Sequence, residues 1–240
     1  MDLRRLRQGA KVHSEEREGA MRYLALLIPL AASAAGCSGD DDSPTGPSGS
    51  RVSFFVTSQT SVTGNLGGLA GADATCRQLA TAAGHGANRI WRAYLSVERG
   101  PEGQPIHARD RIGPGPWHNS QLQLLANNTA EMHAREGDAA LFLDERAQRI
   151  NGQWTGSPGP VEHDILTGSN ADGTLAAGFT CADWTSDSAA AKGWVGHSDG
   201  FGPGQSRAGA LASWNSAHDN QNCANTAPRG GAGRFYCFAQ

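Results

Sequence analysis

The sequence predicts an α+β domain. One amphipathic helix lies between two β-rich segments, and a long glycine-rich stretch with only short apolar runs follows it. Glycine supplies 32 of 240 residues and charged residues only 18%, a composition that excludes a helical bundle or coiled coil and points to a loop-rich chain. Four of the five cysteines, Cys76, Cys181, Cys223 and Cys237, are spread across residues 51–240, without the close paired spacing of a zinc ribbon.

The elements follow in order. Arg51 to Ser58, RVSFFVTS, is rich in β-branched and aromatic residues and runs into a polar turn, which predicts the first strand. Leu69, Ala72, Cys76, Leu79, Ala80 and Ala83 recur at three- and four-residue steps, which predicts a helix that stops at Gly84 and buries Cys76 on its apolar stripe. Arg89 to Ser96, RIWRAYLS, returns to alternation and reads as a strand. Gly100 to Ser120 is punctuated by Gly and Pro and reads as loop. Short apolar runs at Ala140–Leu143, His163–Leu166, Gly193–Val195 and Arg234–Phe238 are the remaining expected strands. No heptad, internal repeat or second long helix is visible.

The N-terminal segment carries an address. Met21 to Leu30, MRYLALLIPL, is one positive charge followed by an apolar run, and the small residues Ala31 to Gly36 then lead to Cys37. This is the pattern of a secretory signal, too short for a spanning helix. Ala34-Ala35-Gly36-Cys37 resembles the lipobox of bacterial lipoproteins, with alanine where leucine is usual, and implies acylation of Cys37. Parity agrees, because four paired cysteines leave Cys37 over. Residues 1–20 have no apolar core of their own and read as an over-long start, with 21–36 the signal peptide. Residues 37–50, without a large apolar residue, are expected to form a flexible spacer, and 51–240 the folded domain. The expected location is the cell envelope, at the outer membrane or cell surface, with the membrane reached through the lipid alone. Lys+Arg 20 against Asp+Glu 23 gives a net charge of -3 with no basic stripe, so nucleic acid is not an expected partner.

In an exported chain the four domain cysteines should form two disulfides, and four cysteines allow three pairings. Closing Cys76 to Cys237 would tie the helix to the last strand.

Five spaced segments, in order, resemble the endostatin-like branch of the C-type lectin-like fold. They are Gly71-Ala72-Asp73-Ala74-Thr75-Cys76, Trp91-Arg92-Ala93-Tyr94-Leu95-Ser96, Leu166-Thr167-Gly168-Ser169 with Asp172-Gly173, Cys181-Ala182-Asp183-Trp184, and Phe235-Tyr236-Cys237-Phe238. The resemblance covers about Phe54 to Phe238. It implies a small mixed sheet with one or two helices, below a long irregular loop region where such domains bind. It also implies nested disulfides, Cys76 with Cys237 and Cys181 with Cys223. Calcium-dependent lectins carry a Trp-Asn-Asp triplet before the third cysteine, and this chain has Trp214-Asn215-Ser216. No cofactor is therefore expected; Asp172, Asp183 and Asp199 are the weak calcium candidates, short of the six to eight oxygens that ion takes. The histidine zinc site of endostatin has no counterpart, since no histidine falls between Cys37 and Gly84.

Five of the six tryptophans, Trp117, Trp154, Trp184, Trp194 and Trp214, lie in the loop-rich half. Sugars stack on exposed indoles while amides and acids bond their hydroxyls. Trp214, Asn215, His218, Asp219 and Asn220 are therefore the expected ligand patch, for a carbohydrate or a surface or matrix protein; the alternative is that these rings pack the irregular half. Gly196-His197-Ser198-Asp199-Gly200 matches the G-x-S-x-G pattern, but Phe201-Gly202-Pro203-Gly204 follows where a hydrolase needs a helix. His163-Asp164 and His218-Asp219 lack the H-E-x-x-H spacing of a metalloprotease. A non-enzymatic binding protein is the expected function. The alternatives are an envelope hydrolase using Ser198 or a histidine-bound metal, and a purely structural lipoprotein.

Overall fold

The computed structural model describes residues 51–86 and 88–240. The start, signal peptide, Cys37 and spacer expected from the sequence lie outside them. The chain is mixed α+β. Three N-terminal elements, β1 (Phe54–Val56), α1 (Gly68–Ala82) and β2 (Trp91–Ala93), match the three elements expected there. A small β3–β4 hairpin (Trp117–His118, Leu124–Ala126) and a five-residue helix α2 (Thr129–His133) follow. The second half holds β5 (Asp164–Leu166), the turn α3 (Cys181–Trp184), β6 (Trp194–His197), β7 (His218–Asp219) and β8 (Gly231–Ala239).

The sheet order is β1-β8-β5-β6-β7, with β2 also paired to β8, and only β5 with β8 is parallel. The last strand is thus the hub. Its alternation sorts the core, because successive side chains point to opposite faces. Phe235, Cys237 and Ala239 join Phe55, Trp91 and the apolar stripe of α1, while Tyr236 and Phe238 join Phe54, Tyr94, Trp117, Phe142 and Trp214. Cys76–Cys237 fastens α1 to β8, and Cys181–Cys223 closes the second loop, the nested pairing.

Two expectations are corrected. Ala140–Leu143 is no strand; Phe142 and Leu143 are buried in turns that hydrogen-bond to Asp138 and Leu141. An apolar run of four cannot by itself say strand when the local chain turns on Asp138, whose carboxylate accepts from the Ala140 amide. The Gly100–Ser120 loop also contains a 3-10 turn at Ala108–Arg111 and the first strand of the hairpin.

α3 is a left-handed turn. Cys181, Ala182, Asp183 and Trp184 all have φ between 48° and 62°, which costs roughly 1–2 kcal/mol for each non-glycine residue. The disulfide at Cys181, the Trp184 indole donating to the Ser96 carbonyl at 2.8 Å, and Asp183 accepting from the Glu98 amide at 2.6 Å hold it. No helix among the described residues is long and apolar enough to cross a membrane.

Candidate functional site

The segment WNSAHDN splits between interior and rim. Trp214 has 0% exposure, its indole donates to the Met132 carbonyl at 3.0 Å, and Tyr94 and Tyr236 pack on it. Asn215 donates to Tyr94 Oη at 2.9 Å and to the Asn170 and Ala171 carbonyls. Neither is a ligand platform, which corrects the expectation of a solvent-facing patch centred on them. The cause is steric: β6 carries Gly196, whose missing Cβ leaves the space into which the Trp214 carbonyl fits. Asn220 is also buried and accepts from the Gly193 amide at 2.9 Å. Asp219 bonds Lys192 and Arg229, each at 3.1 Å, and His218 remains on the rim.

The three calcium candidates each satisfy local donors. Asp172 accepts from Thr174, Asp183 from Glu98 and Arg99, and Asp199 from His163, Gln153 and Phe201. The only group of metal-ligating residues found among the described residues includes none of them. Ser198 is buried in a turn after β6, no imidazole among the described residues hydrogen-bonds its hydroxyl, and a 3-10 turn at Pro203–Gln205 follows in place of a helix.

Aromatic-plus-amide chemistry occurs elsewhere. Trp154 is half-buried on a groove of about 510 Å³ lined also by Gln121, Gln123, Gln148, Arg149 and Asn151. Its indole donates to the Ile150 carbonyl at 2.9 Å, fixing the ring, and the Arg149 guanidinium stands 5.3 Å from the ring centroid. The side chains of Gln121 and Asn151 line this groove, and none of the side-chain hydrogen bonds seen among the described residues involves their amides. A sequence signal for Trp154 exists. From Gln148 to Pro160 only Ile150 and Trp154 are large and apolar, so this ring has little local core to enter.

A second polar centre lies at the start of β5. Antiparallel pairing sets Asp164 opposite His197, and β7 brings His218 beside Val195. His163 Nε2 is 3.3 Å and His197 Nε2 3.4 Å from Asp164 Oδ1, His218 Nε2 is 3.7 Å from Asp164 Oδ2, and the His163 and His197 rings stack at 4.5 Å. Burial pushes the Asp164 carboxyl up to about 6, against the pull of His218 and His163. Burial likewise pushes His197 down to about 4, with the charge of His163 adding to it. Burial raises the Asp199 carboxyl, but the hydrogen bond and charge of His163 and two backbone amides outweigh it and leave it low. His197 was not singled out by the sequence, because it becomes a neighbour of His163 and His218 only through strand register.

No family model matches the chain, and no curated protein matches it.

Proposed function

We propose that this chain is an exported, lipid-anchored envelope protein whose domain, a C-type lectin-like fold of the endostatin-like branch, binds carbohydrate without catalysing a reaction. The observation that carries this reading is the Trp154 groove. It presents an oriented indole, a stacked guanidinium and side-chain amides, the groups that meet the C–H faces and hydroxyls of a saccharide. The nested disulfides support the fold assignment and an oxidising compartment. Cys37, outside the two bonds, is the expected acylation site and the only link to the membrane. The buried, unassisted Ser198 speaks for binding over hydrolysis.

A shallow groove of this kind binds weakly per copy, and many tethered copies on one surface raise the avidity. The test is a glycan and matrix-protein array probed with the full chain and with Trp154→Ala, both checked for fold by near-ultraviolet circular dichroism. Glycan binding abolished by Trp154→Ala supports the reading. Binding that survives the substitution, or binding only to matrix proteins, overturns it. Fatty-acid labelling of the wild type but not of Cys37→Ser is expected from the anchor.

A further inference from the structure

The histidines around Asp164 are arranged as ligands are. We propose that His163, Asp164 and His197, completed by His218 at the rim, form a site for a divalent transition-metal ion of the zinc class, joining β5 to β6 and β7.

Hydrogen bonds fix the tautomers. His197 Nδ1 meets the Leu211 carbonyl at 2.9 Å and His218 Nδ1 the Asp219 carbonyl at 2.8 Å. A carbonyl only accepts, so both Nδ1 atoms carry the proton, and in the neutral rings both Nε2 atoms are lone pairs. Those two Nε2 atoms face each other at 2.9 Å. Two lone pairs that close repel, and a cation between them turns the repulsion into two bonds. His163 repeats the pattern: its Nδ1 is 2.7 Å from Asp199 Oδ1, an ionised acceptor, which leaves Nε2 directed to Asp164.

Asp164 is the independent observation. Its side chain is 2% exposed, and neither carboxylate oxygen has a hydrogen-bond partner among the described residues. A buried, unbonded carboxylate costs several kcal/mol unless a charge compensates it.

The dimensions also fit. Tetrahedral zinc with bonds of about 2.0–2.1 Å puts its ligand atoms about 3.3 Å apart. Four of the six ligand–ligand distances are 2.9, 3.3, 3.4 and 3.7 Å, the last to the second carboxylate oxygen, and the ligand atoms of His163, Asp164 and His197 all lie within 4.8 Å of one another. Three imidazoles and one carboxylate suit zinc and its neighbours, whereas calcium and magnesium want oxygens. Every histidine has an acceptor behind its Nδ1, as metal-bound histidines do. Asp199 adds a second negative charge behind His163, so the ion's two positive charges are balanced. His218, partly exposed at 26%, stands beside the group formed by His163, Asp164 and His197, and once it takes the fourth position no place remains for a reacting water. The site is therefore structural, distinct from the Trp154 groove.

The competing occupant is a proton shared by His197 and His218, and metal titration separates the two. The full chain, stripped with a chelator, is titrated with zinc sulfate against a chromophoric competitor, and in parallel with cobalt chloride. One equivalent of zinc per chain and the intense visible bands of tetrahedral cobalt are expected. Asp164→Asn and His218→Gln should each weaken binding by about tenfold or more. His218→Gln sits on the rim and keeps the test valid if Asp164→Asn fails to fold, as judged by circular dichroism. Absence of stoichiometric zinc, a pale octahedral cobalt spectrum, or unchanged affinity in His218→Gln would overturn the proposal.

Discussion

Asp73 on α1 and Asp164 on β5 are both buried aspartates, yet their surroundings differ in kind. Asp73 accepts from Arg111 at 2.8 Å through both oxygens, from Arg92 at 2.8 Å and from the Ala93 amide at 2.9 Å. Asp164 faces three imidazoles and accepts from none. A finished ion pair fills its donor and acceptor capacity within the chain. A metal site leaves lone pairs converging on one point. The difference teaches that burial alone does not distinguish a structural charge from a ligand; the state of its hydrogen bonds does.

The sharpest way to break this comparison is to remove each carboxylate in turn. Asp73→Ala strands Arg111, whose side chain is 9% exposed, and should cost about 3–5 kcal/mol in urea unfolding. Asp164→Asn in the metal-free chain should leave stability nearly unchanged or raise it, because it deletes a buried charge that has no hydrogen-bond partner among the described residues. A large loss there would mean that Asp164 already has a partner. Zinc at a hundred times its dissociation constant should stabilise the wild type by about 2.7 kcal/mol, and Asp164→Asn by much less, read as a shift in urea midpoint.

A smaller effect tests the polar chain that absorbs Asn215. Tyr94 donates to His133 Nε2 at 2.7 Å, and His133 Nδ1 donates to the Thr129 carbonyl at 2.8 Å. Burial holds His133 below the ordinary imidazole range, only partly offset by the Thr129 bond. A lowered imidazole means that the unfolded chain binds more protons, so this contribution is present above about pH 6.5 and is lost as pH falls below it. His133→Gln should cost about 1 kcal/mol at neutral pH, the usual worth of one such bond. Its deficit against the wild type should shrink as pH is lowered in parallel urea titrations. Smallest of all, Trp154→Ala should change stability by no more than about 0.5 kcal/mol, as a ligand-facing residue outside the core would. A core-sized loss would return Trp154 to packing.

Much of the regular half was legible in the sequence. The three- and four-residue steps from Leu69 to Ala83 give a helix at nearly the expected bounds, and the short apolar run Arg234–Phe238 lies inside a longer strand, Gly231–Ala239. The irregular half resisted for physical reasons. Trp214 and Trp154 stand in equally polar stretches, and their opposite fates depend on Gly196 opening space for one of them. Ala140–Leu143 is apolar enough for a strand, but Asp138 turns the chain. The histidine centre joins residues 163, 164, 197 and 218 by cross-strand register, which no local spacing encodes. His163-Asp164 and His218-Asp219 were visible as pairs, but their convergence on His197 was not.

The most direct measurement is X-ray absorption at the zinc edge on the zinc-loaded full chain. The account requires one ion with four nitrogen or oxygen neighbours at about 2.0–2.1 Å and the outer-shell scattering of three imidazoles. Six oxygens at octahedral distances, or fewer than three imidazoles around the ion, would contradict it.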